Sequence, residues 1–143
     1  MMNVLNRLNT LCDQPDLGKL ILRLGVGGLM LFHGIHKVLH GIGHIQGLLS
    51  SHGLPTLIGY GVYVGEVIAP ILLIAGVLCR PAALTMVGTM LFAWILADLD
   101  STFALTAVGS WALENIMFFV FGSLAILFAG SGRYSLATNP RWQ

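Results

Sequence analysis

The chain has 143 residues, 56% of them hydrophobic and only 9% charged, a composition far from that of water-soluble domains. So few charged side chains cannot solvate the surface of a small globule, and a formal net charge of +1 argues against a nucleic-acid-binding protein. Four apolar stretches, at about 17–39, 57–79, 82–98 and 109–129, approach or reach the length that crosses a bilayer. The expectation is an all-α, integral membrane four-helix bundle, a single domain over 1–143 in contact with the lipid bilayer.

Residues 1–16 read as a polar head, with Pro15 and Asp16 opening the first span and Asp16 as its N-cap. The first span is too long, and too charged at Arg23, His33, His36 and Lys37, for a cleaved signal core. Arg23 is expected to snorkel to the near interface. Gly25, Gly27, Gly28 and Gly34 give the helix a small-residue face that admits a neighbour. Loop 1, about 40–56, holds His44 and His52 and ends in the turn signal Gly53-Leu54-Pro55. Ile42, Ile45, Leu48 and Leu49 recur at helical spacing, which predicts a short interfacial helix there.

The second span carries one ionisable residue, Glu66, directly after the G-x-x-x-G of Gly61 to Gly65. A carboxylate at that depth must be neutral, paired or turned to a polar cavity. Pro70, four residues on, has no N–H for the Glu66 carbonyl. Arg80-Pro81 predicts a tight turn with Pro81 at the first position of the third span. That span ends beyond Trp94, and loop 3 holds Asp98 and Asp100. The fourth span is expected to start near Gly109-Ser110-Trp111, which puts Glu114 and Asn115 one to two turns deep, and to end at the C-cap Gly130-Ser131-Gly132.

Arg7, Lys19, Arg80, Arg133 and Arg141 fall on one side of this arrangement, the two aspartates on the other. The positive-inside bias therefore predicts N and C termini in the cytoplasm of a multi-pass inner-membrane protein. Cys12 and Cys79 fall on the predicted cytoplasmic side with no C-x-x-C, so neither a structural disulfide nor a dithiol centre is expected.

With these residues in place, the chain resembles the DoxX family of small four-helix membrane proteins. The resemblance rests on His33-Gly34-x-x-Lys37, Gly53-Leu54-Pro55, Glu66, and Gly76-x-x-x-Arg80-Pro81. It continues through Trp111-x-x-Glu114-Asn115 and Gly130-x-Gly132-x-Tyr134-Ser135-Leu136, and so covers about residues 17–137. The family often has an Asp after the Ser-Leu pair; Ala137 stands there in this chain. The resemblance implies the four-helix membrane fold. It also implies a link to quinone-reducing thiosulfate oxidation or to thiol and oxidative-stress systems, with a protein partner in a membrane redox complex.

Depth arithmetic tests whether the polar residues can meet. At about 1.5 Å per residue, Glu66 lies roughly 13 Å, Glu114 roughly 8 Å, His33 roughly 9 Å and Lys37 roughly 3 Å below the outer surface. One reading is a structural cluster in which Lys37 and a histidine neutralise the carboxylates. Another is a site for a quinone head group: Lys37 and His33 donate to its carbonyls, Glu66 or Glu114 relays protons, and Trp94 and Trp111 line the pocket. A metal held by His33, His36, Glu66 and Glu114 is a third, although no Glu-x-x-His pair occurs. All five histidines lie between 33 and 52, which argues against haem held between opposing helices of one chain. The function expected is a quinone-linked oxidoreductase component. The alternatives are a non-catalytic scaffold subunit, including a homo-oligomer joined through its glycine faces, and a small-solute or proton pathway.

Overall fold

The computed structural model describes residues 2–139 and 142; Arg141, counted above for orientation, lies outside the described residues. Among the described residues the chain is all helical, with one isolated bridge between Leu105 and Trp111 and no strand.

The polar head is itself a helix, α1 (Met2–Cys12). Val4, Leu5, Leu8 and Leu11 line one face at helical spacing, and all four are exposed. Asp13 and Gln14 separate it from α2 (Pro15–His40), where Pro15 takes the first turn and Gln14, not Asp16, stands at the N-cap. Asp16 is used elsewhere: its Oδ1 accepts the Arg133 N–H at 3.2 Å. Loop 1 contains the expected short helix, α3 (Gly43–Ser51), which buries Leu49.

The second span, α4 (Thr56–Ala75), changes pitch along its length. It opens as a 3-10 helix over Thr56–Tyr60, makes one α turn over Gly61–Tyr63, widens to a π-helix over Val64–Ile68, and closes as α-helix over Ala69–Ala75. Gly76, left-handed at φ 77°, stops it four residues before the expected end. The third span, α5 (Cys79–Ala97), therefore starts earlier than expected, and Leu78 makes the turn with φ 50°. The fourth, α6 (Glu114–Ala129), starts five residues later than expected. Thr106 and Ser110 explain the delay. Their hydroxyls bond each other at 2.8 Å, and the Ser110 N–H donates to Thr106 Oγ1 at 3.2 Å, so these polar residues hold a turn around Gly109 instead of a helix.

Helices α2, α4 and α5 are long and apolar enough to cross a membrane; α6 is as apolar but has only 16 residues. The four run antiparallel in sequence, and Val26, Met30, Leu73, Met86, Val120 and Ile126 fill the space between them. Glycines set the closest approaches. A methyl group on Gly34 would overlap the Glu66 carbonyl, and one on Gly65 would overlap the Thr89 side chain. Gly27 meets the Pro70 carbonyl and Ile74, whereas Gly25 and Gly28 of the predicted face have nothing opposite them.

Candidate functional site

The site begins with Pro70. Without its N–H the ordinary i to i+4 ladder cannot include the Glu66 carbonyl, and the helix widens over the residues before it. Within that segment the Ala69 N–H reaches back five residues to the Val64 carbonyl. The Glu66 carbonyl faces Gly34, where the absence of a side chain lets the α2 backbone close on it. The Glu66 side chain is turned into the protein and only 4% of the residue is exposed.

Its carboxylate is paired with the Lys37 ammonium through a hydrogen bond from Nζ to Oε2. The two partners differ in environment: the Lys37 side chain is 24% exposed and that of Glu66 is 5% exposed. The Tyr63 hydroxyl donates to the Lys37 backbone carbonyl at 3.3 Å, tying the end of α2 to α4. Both charged groups line a cavity of about 470 Å³ between α3, α4 and α5. The rest of its wall is mainly apolar, including Leu48, Phe92 and Leu96, with Thr85, Thr89 and His44 as further polar groups. Thr89 donates its hydroxyl to the Thr85 carbonyl at 2.9 Å, and Thr85 donates to that of Pro81 at 2.8 Å. Their oxygens are thus left as acceptors.

The other residues singled out from the sequence stand apart from this cavity. His33 is exposed and lies edge-on to Phe119, with ring centroids 5.7 Å apart. Glu114 is exposed at the first residue of α6, so the late start of that helix removes the depth assigned to it. The Trp94 and Trp111 indole N–H groups both donate to Thr102, to its hydroxyl at 3.0 Å and its carbonyl at 2.8 Å. His36 stacks on His40 at 4.3 Å, and among the described residues no three His, Cys, Asp or Glu side chains gather as metal ligands. His44, treated in the sequence only as a loop residue, joins the cavity because α3 folds over the mouth of α4 and α5.

Arg23 overturns its expectation. It does not snorkel but is wholly buried, at 0% exposure. Its guanidinium donates to the Leu73 carbonyl at 3.0 Å and to the Tyr134 carbonyl. The early stop of α4 contributes: the Val77 N–H turns to the Leu72 carbonyl, so the Leu73 carbonyl receives only the Gly76 N–H at 3.1 Å from the backbone and the guanidinium adds a second donor. The segment after α6 completes the burial, with Ser135 against Gly76 and the Leu136 N–H on the Ala75 carbonyl at 2.9 Å.

A bundle of apolar helices with a partly buried ion pair beside a half-open cavity is a small helical membrane protein. Its lineage is explicit: the DoxX family model matches residues 18–99, more than half of the chain, and the chain belongs to the DoxX family. The matched region holds α2 to α5, with Lys37, Glu66 and Arg80-Pro81; the motifs around Trp111 and Tyr134 lie beyond it. No curated protein and no solved structure matches the chain.

Proposed function

We propose that the chain is the quinone-binding component of an inner-membrane redox system, with electrons delivered by a partner protein. The observation that carries the reading is the Lys37–Glu66 pair in the wall of a mainly apolar cavity of about 470 Å³. That volume suits a small molecule, and a few polar groups in an apolar wall are what orient one. Lys37 spends one donor on Glu66 and keeps others for a quinone carbonyl. His44 offers a second donor, and as partner-delivered electrons reduce the ring Lys37 can pass one of the two protons to a quinone oxygen, Glu66 relaying the replacement proton to Lys37. Lys19, Arg80 and Arg133 around one cavity support a cytoplasmic assignment for that end, and hence for both termini and a four-span topology.

The test is quinone content and quinone affinity of the purified protein. Glu66→Gln and Lys37→Met are each expected to weaken binding at least about tenfold, the loss of one charged hydrogen bond. Glu114→Gln is expected to leave it unchanged. Equal quinone binding by Glu66→Gln and the native chain would sink the proposal.

One observation favours a scaffold role as a second reading. Gly25 and Gly28 lie on α2 with nothing opposite them, which leaves room for a helix of a partner or a second copy. Gly25→Leu would then break an assembly seen by cross-linking while quinone binding persists. Gly65 cannot serve that test, because it packs against Thr89 of the same chain.

A further inference from the structure

A second cavity lies at the opposite end of the bundle, where the chain enters α2, leaves α4, enters α5 and leaves α6. Its volume is about 670 Å³, and it is walled by the first turns of α2 and α5 and by residues 129–133. Three cations line it, Lys19, Arg80 and Arg133, against a single carboxylate, Asp16. That carboxylate is already engaged by the Arg133 N–H at 3.2 Å, and Lys19 stands 3.9 Å from it. The Arg80 side chain has no hydrogen bond or ion pair among the described residues; its guanidinium lies beside Gly130.

From this surplus we infer that the cavity binds a phosphate group, and that the phosphate is the headgroup of an anionic phospholipid. The charge favours an anion, and the first turns of α2 and α5 add positive partial charge from their helix dipoles. A cation beside the last turn of α6 also suits that helix's dipole, but one guanidinium meets that need and Asp16 offsets Lys19, which still leaves one cation over. The surroundings favour lipid over a soluble ion. Ile21, Leu84 and Phe128, each within one turn of the cavity residues on their helices, are 62%, 58% and 79% exposed. Such exposed apolar side chains next to the charged residues are where acyl chains would lie. Gly132 brings the chain against Lys19 and Asp16, where a Cβ would sit 3.0 Å from the lysine stem, and so fixes one wall. This inference does not rest on the quinone reading; it concerns other residues at the other end.

The experiment uses the full chain in neutral detergent, with thermal unfolding followed by tryptophan fluorescence. Three probes are titrated: short-chain phosphatidylglycerol, phosphatidylcholine of equal chain length, and inorganic phosphate. Phosphatidylglycerol should raise the unfolding temperature saturably and phosphatidylcholine should not. Arg80→Gln and Lys19→Gln should each weaken the phosphatidylglycerol effect about fivefold, the share of one cation near an anionic headgroup. Arg7→Gln, outside the cavity, should leave it intact. Should Arg80→Gln fail to fold, Arg133→Gln makes the same comparison from an exposed position. A response to inorganic phosphate that needs Arg80 would retain the phosphate site and overturn the lipid assignment. Equal effects of the two lipids, or an equal loss in Arg7→Gln, would overturn the proposal altogether.

Discussion

The two ends of the bundle each bury a charge, and they satisfy it differently. Arg23 is fixed by backbone carbonyls from two separate segments, Leu73 and Tyr134, and the chain closes over it. Glu66 has a side-chain partner that is itself partly exposed, and a cavity adjoins them both. A guanidinium bonded to fixed carbonyls has nowhere to go and exchanges nothing. A carboxylate held by a flexible lysine beside open volume can change partner when a ligand arrives. The first arrangement closes a helix end; the second leaves both charged groups facing open volume.

The contrast can be broken most sharply at Arg23. Arg23→Met removes the side-chain donor to the Tyr134 carbonyl and one of two donors to the Leu73 carbonyl, and should destabilise the folded protein by about 3 kcal/mol, measured by unfolding in mixed micelles. If Lys37→Met proves as damaging to stability, the two ends are alike and the distinction fails. Gly34→Ala comes next. Its methyl group would overlap the Glu66 carbonyl, and forcing α2 from α4 should cost about 2 kcal/mol and weaken ligand binding together with stability. A double-mutant cycle between Lys37→Met and Glu66→Gln should give a coupling of about 1 kcal/mol, the usual scale for a polar contact between membrane helices. Coupling near zero would mean that the pair does not form in the bilayer. The smallest effect is expected at Gly28, where nothing faces the added methyl group; Gly28→Ala should stabilise by about 0.5 kcal/mol through helix propensity alone.

Much of the fold was legible because spanning helices need long apolar runs, and three of the four runs are long helices. Their limits were less legible. Gly76 and the Thr106–Ser110 turn set two of them, and both act through local geometry that an apolar run does not reveal. For the site, depth arithmetic placed Lys37 near Glu66, and the structure pairs them. It also placed His33 there, but depth says nothing of direction around a helix, and His33 turns to Phe119 of α6. Glu114 was lost with the start of its helix. Arg23 was misplaced because the positive-inside pattern speaks only of depth, whereas Gly76 and the run from Gly130 to Leu136 carry the packing information. Those motifs are the two surfaces that enclose it. A buried arginine near two such motifs was the signal available.

The π turn at Val64–Ile68 gives the length of the chain a meaning of its own. It holds one residue more than an α-helix needs for the same path, so the widened turn absorbs the extra residue and the helix on either side keeps its course. Deleting Val64 would let the helix close evenly with both flanks in place, and would move Gly65 and Glu66 back by one residue step, about 100° around the axis. Glu66 would swing away from Lys37 while every charged and polar side chain of the cavity remained in the chain. Helix content by circular dichroism should then hold while quinone binding is lost. Within these five residues, the spacing of the chain sets the site as firmly as the side chains do.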